Sequence, residues 1–229
     1  GTTIMAMKVA KSLMLADDTI HTVLLAGGYR NCDFIDYQNE RTRFMFNLAA
    51  GGGAIILQKN CNENSVLEAD ILTDGSFSED VVVPVGGTKN PLTPELLAQG
   101  AYRLDVLDPK GMKVRLEEKS LNNFIKVIRS SLAKSGYSEQ DIAYIAVLHM
   151  KKSAHDYVLK TLGLSSEQSI YLEHYGHIGQ IDQILSLQLA LEQNKIQQGD
   201  IVTLVSAGIG YAWGAITIKW GKEERDGTN

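Results

Sequence analysis

Two cysteines, four prolines and no long apolar run narrow what this 229-residue chain can be. Cys32 and Cys61 are too few for a disulfide framework, and they are too far apart for a zinc pair with a two-residue gap. Cysteine usage of this kind reads as a reduced, cytoplasmic protein. No stretch approaches the ~20 apolar residues of a membrane helix, and the first residues lack the charged-then-apolar order of a signal peptide. A strong excess of one charge is missing too. The 22 Lys and Arg against 27 Asp and Glu leave a net charge of -5, which argues against nucleic acid as a partner. What remains is a chain that is 44% hydrophobic, long enough for one large domain or two small ones.

Gly1 opens directly on an amphipathic helix, with Ile4, Met7, Ala10, Leu13 and Met14 at helical spacing. With no strand and no initiator Met ahead of it, we expect a natural sequence that extends upstream. Thr22 to Ala26 reads as a strand buried on both faces of a mostly parallel sheet, closed by Gly27-Gly28. A polar loop, Arg30 to Arg43, leads to three expected strands at Phe44 to Leu48, Ala54 to Gln58 and Ser65 to Thr73. Residues 74–100 hold three of the four prolines and read as a long surface loop. Beyond it come a strand at Tyr102 to Leu107 and a helix over Leu116 to Lys134. Further strands are expected at Asp141 to Leu148, Ser169 to Leu172, Ile201 to Ser206 and Ala212 to Lys219, with helices at Ser153 to Leu162 and Ile178 to Gln193. This alternation indicates an α/β fold with a mixed sheet. The polar tail from Lys222 to Asn229 reads as disordered.

Chemistry can sit at three places. His149 follows an apolar strand and precedes a helix, at the carboxyl edge where α/β sheets bind ligands. His177 would sit on the same edge at a helix amino terminus, where the helix dipole disfavours a positive charge. A neutral imidazole there could donate one hydrogen bond to a developing oxyanion. Either histidine can equally be a satisfied structural residue, while His21, His155 and His174 read as surface or supporting residues. The third place is the turn Ser206 to Gly214, in which Gly208 and Gly210 suit either an ordinary hairpin or a loop with outward backbone amides.

In their order, His149 after a strand, Tyr175-Gly176-His177 before a helix and Gly208-Ile209-Gly210-Tyr211-Ala212-Trp213-Gly214 near the end resemble the second half of a β-ketoacyl-acyl carrier protein synthase III. This is a family of condensing enzymes in the thiolase superfamily. Asn47 to Leu57 (NLAAGGGAIIL) is similar to the family's glycine-rich strand, Ala69 to Ser76 (ADILTDGS) to its Asp-Gly-Ser segment, and Gly1-Thr2-Thr3 to the helix start after its nucleophilic cysteine. The resemblance implies a thiolase-like fold, a layered αβαβα sandwich with mixed five-stranded sheets. Residues 1–100 would then be the remainder of the N-terminal half with its connecting loop, and residues 101–221 the C-terminal half. It also implies a homodimer that takes acyl-coenzyme A and acyl carrier protein thioesters as substrates, with no bound cofactor or metal. An acyl primer moves to the cysteine, and malonyl-carrier protein is decarboxylated and condensed with it.

Carried over residue by residue, His149 matches the family's first catalytic histidine, and the Ile209 backbone amide matches the oxyanion hole, flanked by Gly208 and Gly210. Arg41 matches an arginine that touches the coenzyme A adenine. His177 stands where synthase III enzymes have asparagine and elongating condensing enzymes have a second histidine. The chain departs from the family after both histidines, at His149-Met150-Lys151-Lys152 and at Ile178-Gly179-Gln180-Ile181-Asp182. The nucleophile is expected just ahead of Gly1, which would leave the chain itself inactive. The rival reading is a non-catalytic homologue that acts as a partner subunit.

Overall fold

The computed structural model describes residues 1–222. In chain order it contains helix α1 (Thr2–Ala16), strands β1 (Thr22–Tyr29), β2 (Gly51–Gln58), β3 (Glu63–Thr73) and β4 (Val81–Val82), and helix α2 (Pro94–Ala98). Strand β5 (Asp105–Val106), helix α3 (Pro109–Lys134), strand β6 (Ile142–Val147) and helices α4 (Lys152–Thr161) and α5 (Asp182–Glu192) follow, and β7 (Ile201–Gly208) and β8 (Ala212–Lys222) close the chain. Lys222 ends β8, and the rest of the tail expected to be disordered lies outside the described residues.

The main sheet has the order β3-β8-β7-β6, antiparallel except for the β6–β7 pair. It is buried on both faces because alternate residues of each strand are apolar on both sides. Ile145, Val147, Val205, Trp213 and Ala215 face α3 and α4, and Tyr144, Ala146, Val202, Leu204, Ile216 and Ile218 face α1 and its neighbours. β3, which precedes residue 100, is an edge strand of this sheet beside β8. The largest sheet among the described residues has four strands where the resemblance implied five.

The reason lies beside β6. Ser169 to Leu172, expected as a strand, forms no ladder; Gln168 Nε2 donates to the Ile142 carbonyl (2.7 Å) and Ser169 Oγ to that of Ile145 (2.8 Å), so side chains take acceptors that a neighbouring strand would use. Phe44 to Leu48 is not a strand either. The Asn39 side chain accepts from Arg41 N and starts a 3-10 turn over Glu40–Met45, which buries Thr42 and Met45 at a spacing of three. Within 74–100 the expected loop carries β4 and α2, and only Asp105–Val106 of the strand expected at 102–107 is extended in a ladder, paired with β4.

β1 is not a doubly buried parallel strand. It pairs antiparallel with β2 in a two-stranded ribbon that continues through Gly27, Gly28 and Gly51–Gly53. Val23, Leu25 and Ile55 pack inward against the α1 face of the core, while Leu24 and Ile56 point outward, 63% and 68% exposed. The glycines do not interrupt β2; a side chain at Gly51 would come within 2.6 Å of Ile178 Cγ2. Their absence of side chains lets the segment carrying His177 lie against the ribbon.

Of the two expectations for His155, surface or supporting residue, the structure gives the second: it is only 3% exposed in α4 and meets the Tyr171 ring edge-on. Burial pushes its imidazole down to about 4, and Lys152 adds to the shift. The folded state disfavours the proton that the unfolded chain accepts near pH 6.5, so this contribution to stability is complete above that pH and is lost as pH falls toward 4. Denaturant melts should show a loss on the order of 2 kcal/mol over that window that is absent in His155→Phe. Trp213, fully buried against Phe77 and Tyr211, anchors the α3 face, and Trp213→Ala should cost about 3 to 5 kcal/mol in the same assay.

Candidate active site

The site is assembled where the carboxyl edge of β6, the amino end of α5 and the β7–β8 turn meet the start of α1. At its centre is Asp182, the first residue of α5 and fully buried. One carboxylate oxygen accepts from the His149 backbone N–H (2.7 Å) and faces His177 Nδ1 (2.5 Å); the other accepts from Ile178 N–H (2.7 Å). A buried carboxylate is tolerable only when its oxygens are met in this way, and the helix amino terminus adds a favourable dipole. Both expected histidines are therefore gathered on one oxygen.

The two rings are held differently. His149 packs on Tyr171, with centroids 5.0 Å apart, and Tyr171 Oη donates to the Met150 carbonyl (3.0 Å). Burial pushes the His149 imidazole below its ordinary value, against the pull of Asp182, so the ring is neutral at pH 7. Its Nδ1 is buried without a partner. A stranded N–H there would be costlier than a stranded lone pair, so the proton belongs on Nε2.

His177 is fixed through its backbone and ring. Its N–H donates to the Asn47 carbonyl and its own carbonyl accepts from Ala49 N–H, both at 2.9 Å, and its ring lies 5.8 Å from that of Tyr29. Gly179 has φ of +58° and sits directly against the Tyr29 ring, where a Cβ would clash at 2.2 Å. His177 Nδ1 is taken up by Asp182, so Nε2 is the ring nitrogen left for any further partner. A carboxylate therefore acts on this ring in addition to the helix terminus from which its role was expected.

The β7–β8 turn closes the other side. Tyr211 exchanges two backbone hydrogen bonds with Asp74 (2.9 Å each), and Lys119 pairs with the Asp74 carboxylate, holding it down at about 2. Ile209 stands half-exposed between Gly208 and Gly210. The Gly1 nitrogen donates to Ser206 Oγ (2.8 Å) and packs beside Gly208, where a Cβ would lie 3.3 Å away. The charge of Asp182 reaches it as well. Thr3 Oγ1 donates to the Gln180 carbonyl (2.5 Å), tying the first turn of α1 to the His177 segment.

The structure thus brings together His149, His177 and the Gly208 to Gly210 turn. Arg41 is elsewhere, in a bidentate pair with Asp105 (3.0 and 2.7 Å). His21 and His174 are exposed, and Cys32 and Cys61 are free thiols outside the cluster. Asp182 and Ser206 were missed as site residues. The signal for Asp182 was a carboxylate one helical turn beyond His177, at the first position of the next helix. Among the described residues no group of three or more His, Cys, Asp or Glu is placed to hold a metal ion, and no helix is long and apolar enough to cross a membrane.

The chain is similar to known proteins over most of its length. The family model for 3-oxoacyl-[acyl-carrier-protein] synthase III matches residues 1–75, and the model for the C-terminal part of the same enzymes matches residues 132–220. The chain is 28% identical to the β-ketoacyl-[acyl-carrier-protein] synthase III of Symbiobacterium thermophilum over 82% of this chain and 55% of that protein. It is 27% identical to that of Aliarcobacter butzleri over 96% of this chain and 64% of that protein. It therefore spans less than two thirds of the length of these relatives. The solved synthase III structures of Thermus thermophilus and Aquifex aeolicus both superpose with a TM-score of 0.78, at 23% and 17% identity, covering 96% and 95% of this chain and 65% and 64% of those chains. With its mixed α/β thiolase-like fold and both ends of its sequence matched, the chain belongs to the 3-oxoacyl-[acyl-carrier-protein] synthase III-like condensing enzymes of the thiolase superfamily.

Proposed function

We propose that this site transfers an acyl primer to a thiol and joins it to a second thioester, as a cytoplasmic acyltransferase of fatty acid synthesis. The observation that carries the reading is the convergence of the α1 amino end, the histidine pair on Asp182 and the glycine-bearing turn. The first turn of α1 has backbone N–H groups and no side-chain cap. A cysteine joined to the Gly1 nitrogen would sit at this helix terminus, which stabilises a thiolate. His149, with its proton on Nε2, would donate to the thioester or enolate oxygen, and the Ile209 amide would receive the tetrahedral oxyanion. Acyl-coenzyme A as primer source and malonyl-acyl carrier protein as extender are the substrates that kinship implies. Arg41 is a candidate for the coenzyme A adenine, released from Asp105 on binding.

Homodimerisation is part of the same reading. The outward Leu24 and Ile56 of the β1–β2 ribbon and Val9 and Leu13 of α1 are an unusual amount of exposed apolar surface. A non-catalytic partner subunit would use the same surface, so acylation chemistry must decide between the two.

Incubated with acyl-coenzyme A, a chain that carries cysteine on the Gly1 nitrogen should gain the mass of one acyl group, removable by hydroxylamine. The 229-residue chain should gain none. Absence of the adduct in the cysteine-bearing chain would favour the partner subunit. Sedimentation should show self-association, and a clean monomer at micromolar concentration would contradict the homodimer.

A further inference from the structure

A backbone N–H stabilises a developing oxyanion best when it is held in one direction before the charge forms. The chain around Ile209 does not provide that by itself. The β7–β8 ladder ends at the pair Gly208 and Ala212, and the residues between them include Gly210, with φ of +134° and open space where a side chain would stand. Glycine on each side leaves the Ile209 peptide free to turn. Its direction must therefore be set from outside the turn.

The outside hold is Asp74-Gly75-Ser76, just beyond the end of β3. β3 pairs with β8 as far as Thr73 and Ala212, and Asp74 and Tyr211 add one further rung, each N–H donating to the other's carbonyl (2.9 Å each). Asp74 is itself held through its carboxylate. One oxygen accepts from Ser76 N–H (3.0 Å), which starts the 3-10 turn Gly75–Phe77, and the other accepts from Lys119 Nζ on α3 (2.7 Å). That turn sets Phe77, fully buried, edge-on to the Tyr211 ring at 4.8 Å. Lys119 and Arg115, one helical turn apart, lie over the Phe77 ring at 5.4 and 5.9 Å, and Arg115 pairs with Asp80. Segment 74–80 is thus pinned to α3 at both ends, with Phe77 between the pins and against the turn.

The Lys119 and Asp74 side chains are 41% and 26% exposed, a setting in which an ion pair adds little to stability. What it does fix is geometry, because it ties the last rung before the turn to a long helix. We propose that Lys119 and Asp74 are positioning residues that aim the Ile209 backbone amide at the oxyanion. The proposal rests on the acyl-transfer reading above and adds to it the device that holds its donor. Neither side chain needs to touch the thioester; both act through the rung between Asp74 and Tyr211.

In the 229-residue chain the device can be read without chemistry. Lys119→Met should shift the Ile209 amide resonance and speed hydrogen exchange at Tyr211 N–H by about 10-fold, while Val205 in β7 keeps its rate. In the cysteine-bearing chain the same variant should slow self-acylation at saturating acyl-coenzyme A by about 10- to 100-fold, with the half-saturating concentration unchanged. Lys119→Arg should restore the rate. Asp74→Asn should lower it similarly and the double variant no further, because both changes remove one contact. Thermal melts of Lys119→Met should stay close to those of the parent, which separates aim from folding. Tyr211 exchange unchanged in Lys119→Met, or acylation that falls only in proportion to the folded fraction, overturns the proposal. A cysteine-bearing chain that gains no acyl group, with Tyr211 exchange and the Ile209 resonance responding as expected, would sink the acyl-transfer reading and uphold the hold on the turn.

Discussion

The buried Asp182 carboxylate is the constraint on which the site's geometry depends. It sits on the first turn of α5 and ties that helix to two other stretches of chain, with one hydrogen bond to the end of β6 and two to the segment carrying His177 and Ile178. A charged group with no solvent exposure is costly to bury, and its cost is offset only while all three donors stay in place. The carboxylate therefore makes the placement of both histidines a cooperative matter. The His177 ring and the His149 backbone share one oxygen, so a shift of either costs that oxygen one of its two partners.

Around that point the architecture divides its labour. The main sheet, covered on one face by α3 and α4 and on the other by α1 and its neighbours, provides a rigid floor whose edge carries His149 and the β7–β8 turn. The ribbon β1–β2 and the loop through Asn47 provide the opposite wall, against which His177 is pinned by a pair of backbone hydrogen bonds. α1 joins the two, packing into the core through Ile4, Met7, Ala10 and Met14 while its amino end reaches Ser206 and Gly208.

Much of this was legible in the sequence. The period of α1, the long apolar face of α3 and the apolar runs of β6, β7 and β8 reflect elements whose packing and local pattern agree. The misreadings occurred where they do not. Phe44 to Leu48 has the apolar content of a strand, but an Asx-type turn at Asn39 redirects the chain. Ser169 to Leu172 has the content too, but Gln168 and Ser169 spend their side chains on the acceptors of β6. At the site, the histidines were visible because each follows a strand or precedes a helix. The role of Asp182 was not, since its neighbours lie far away in sequence and a single carboxylate at a helix start is usually a capping residue. The hold on His177 Nδ1 depends on that contact and has no local signature.

The contact between Gly179 and the face of Tyr29 has a mechanical side. His177 is clamped between a ring on β1 and a carboxylate on α5, with the Asn47 loop gripping its backbone from the ribbon side. Its imidazole is thus referenced to two bodies at once, and its alignment depends on the stiffness of the seam between ribbon and main sheet. Whatever loads the outer face of the ribbon also loads that seam, so the pressure on a distant apolar surface and the aim of a single nitrogen become one variable.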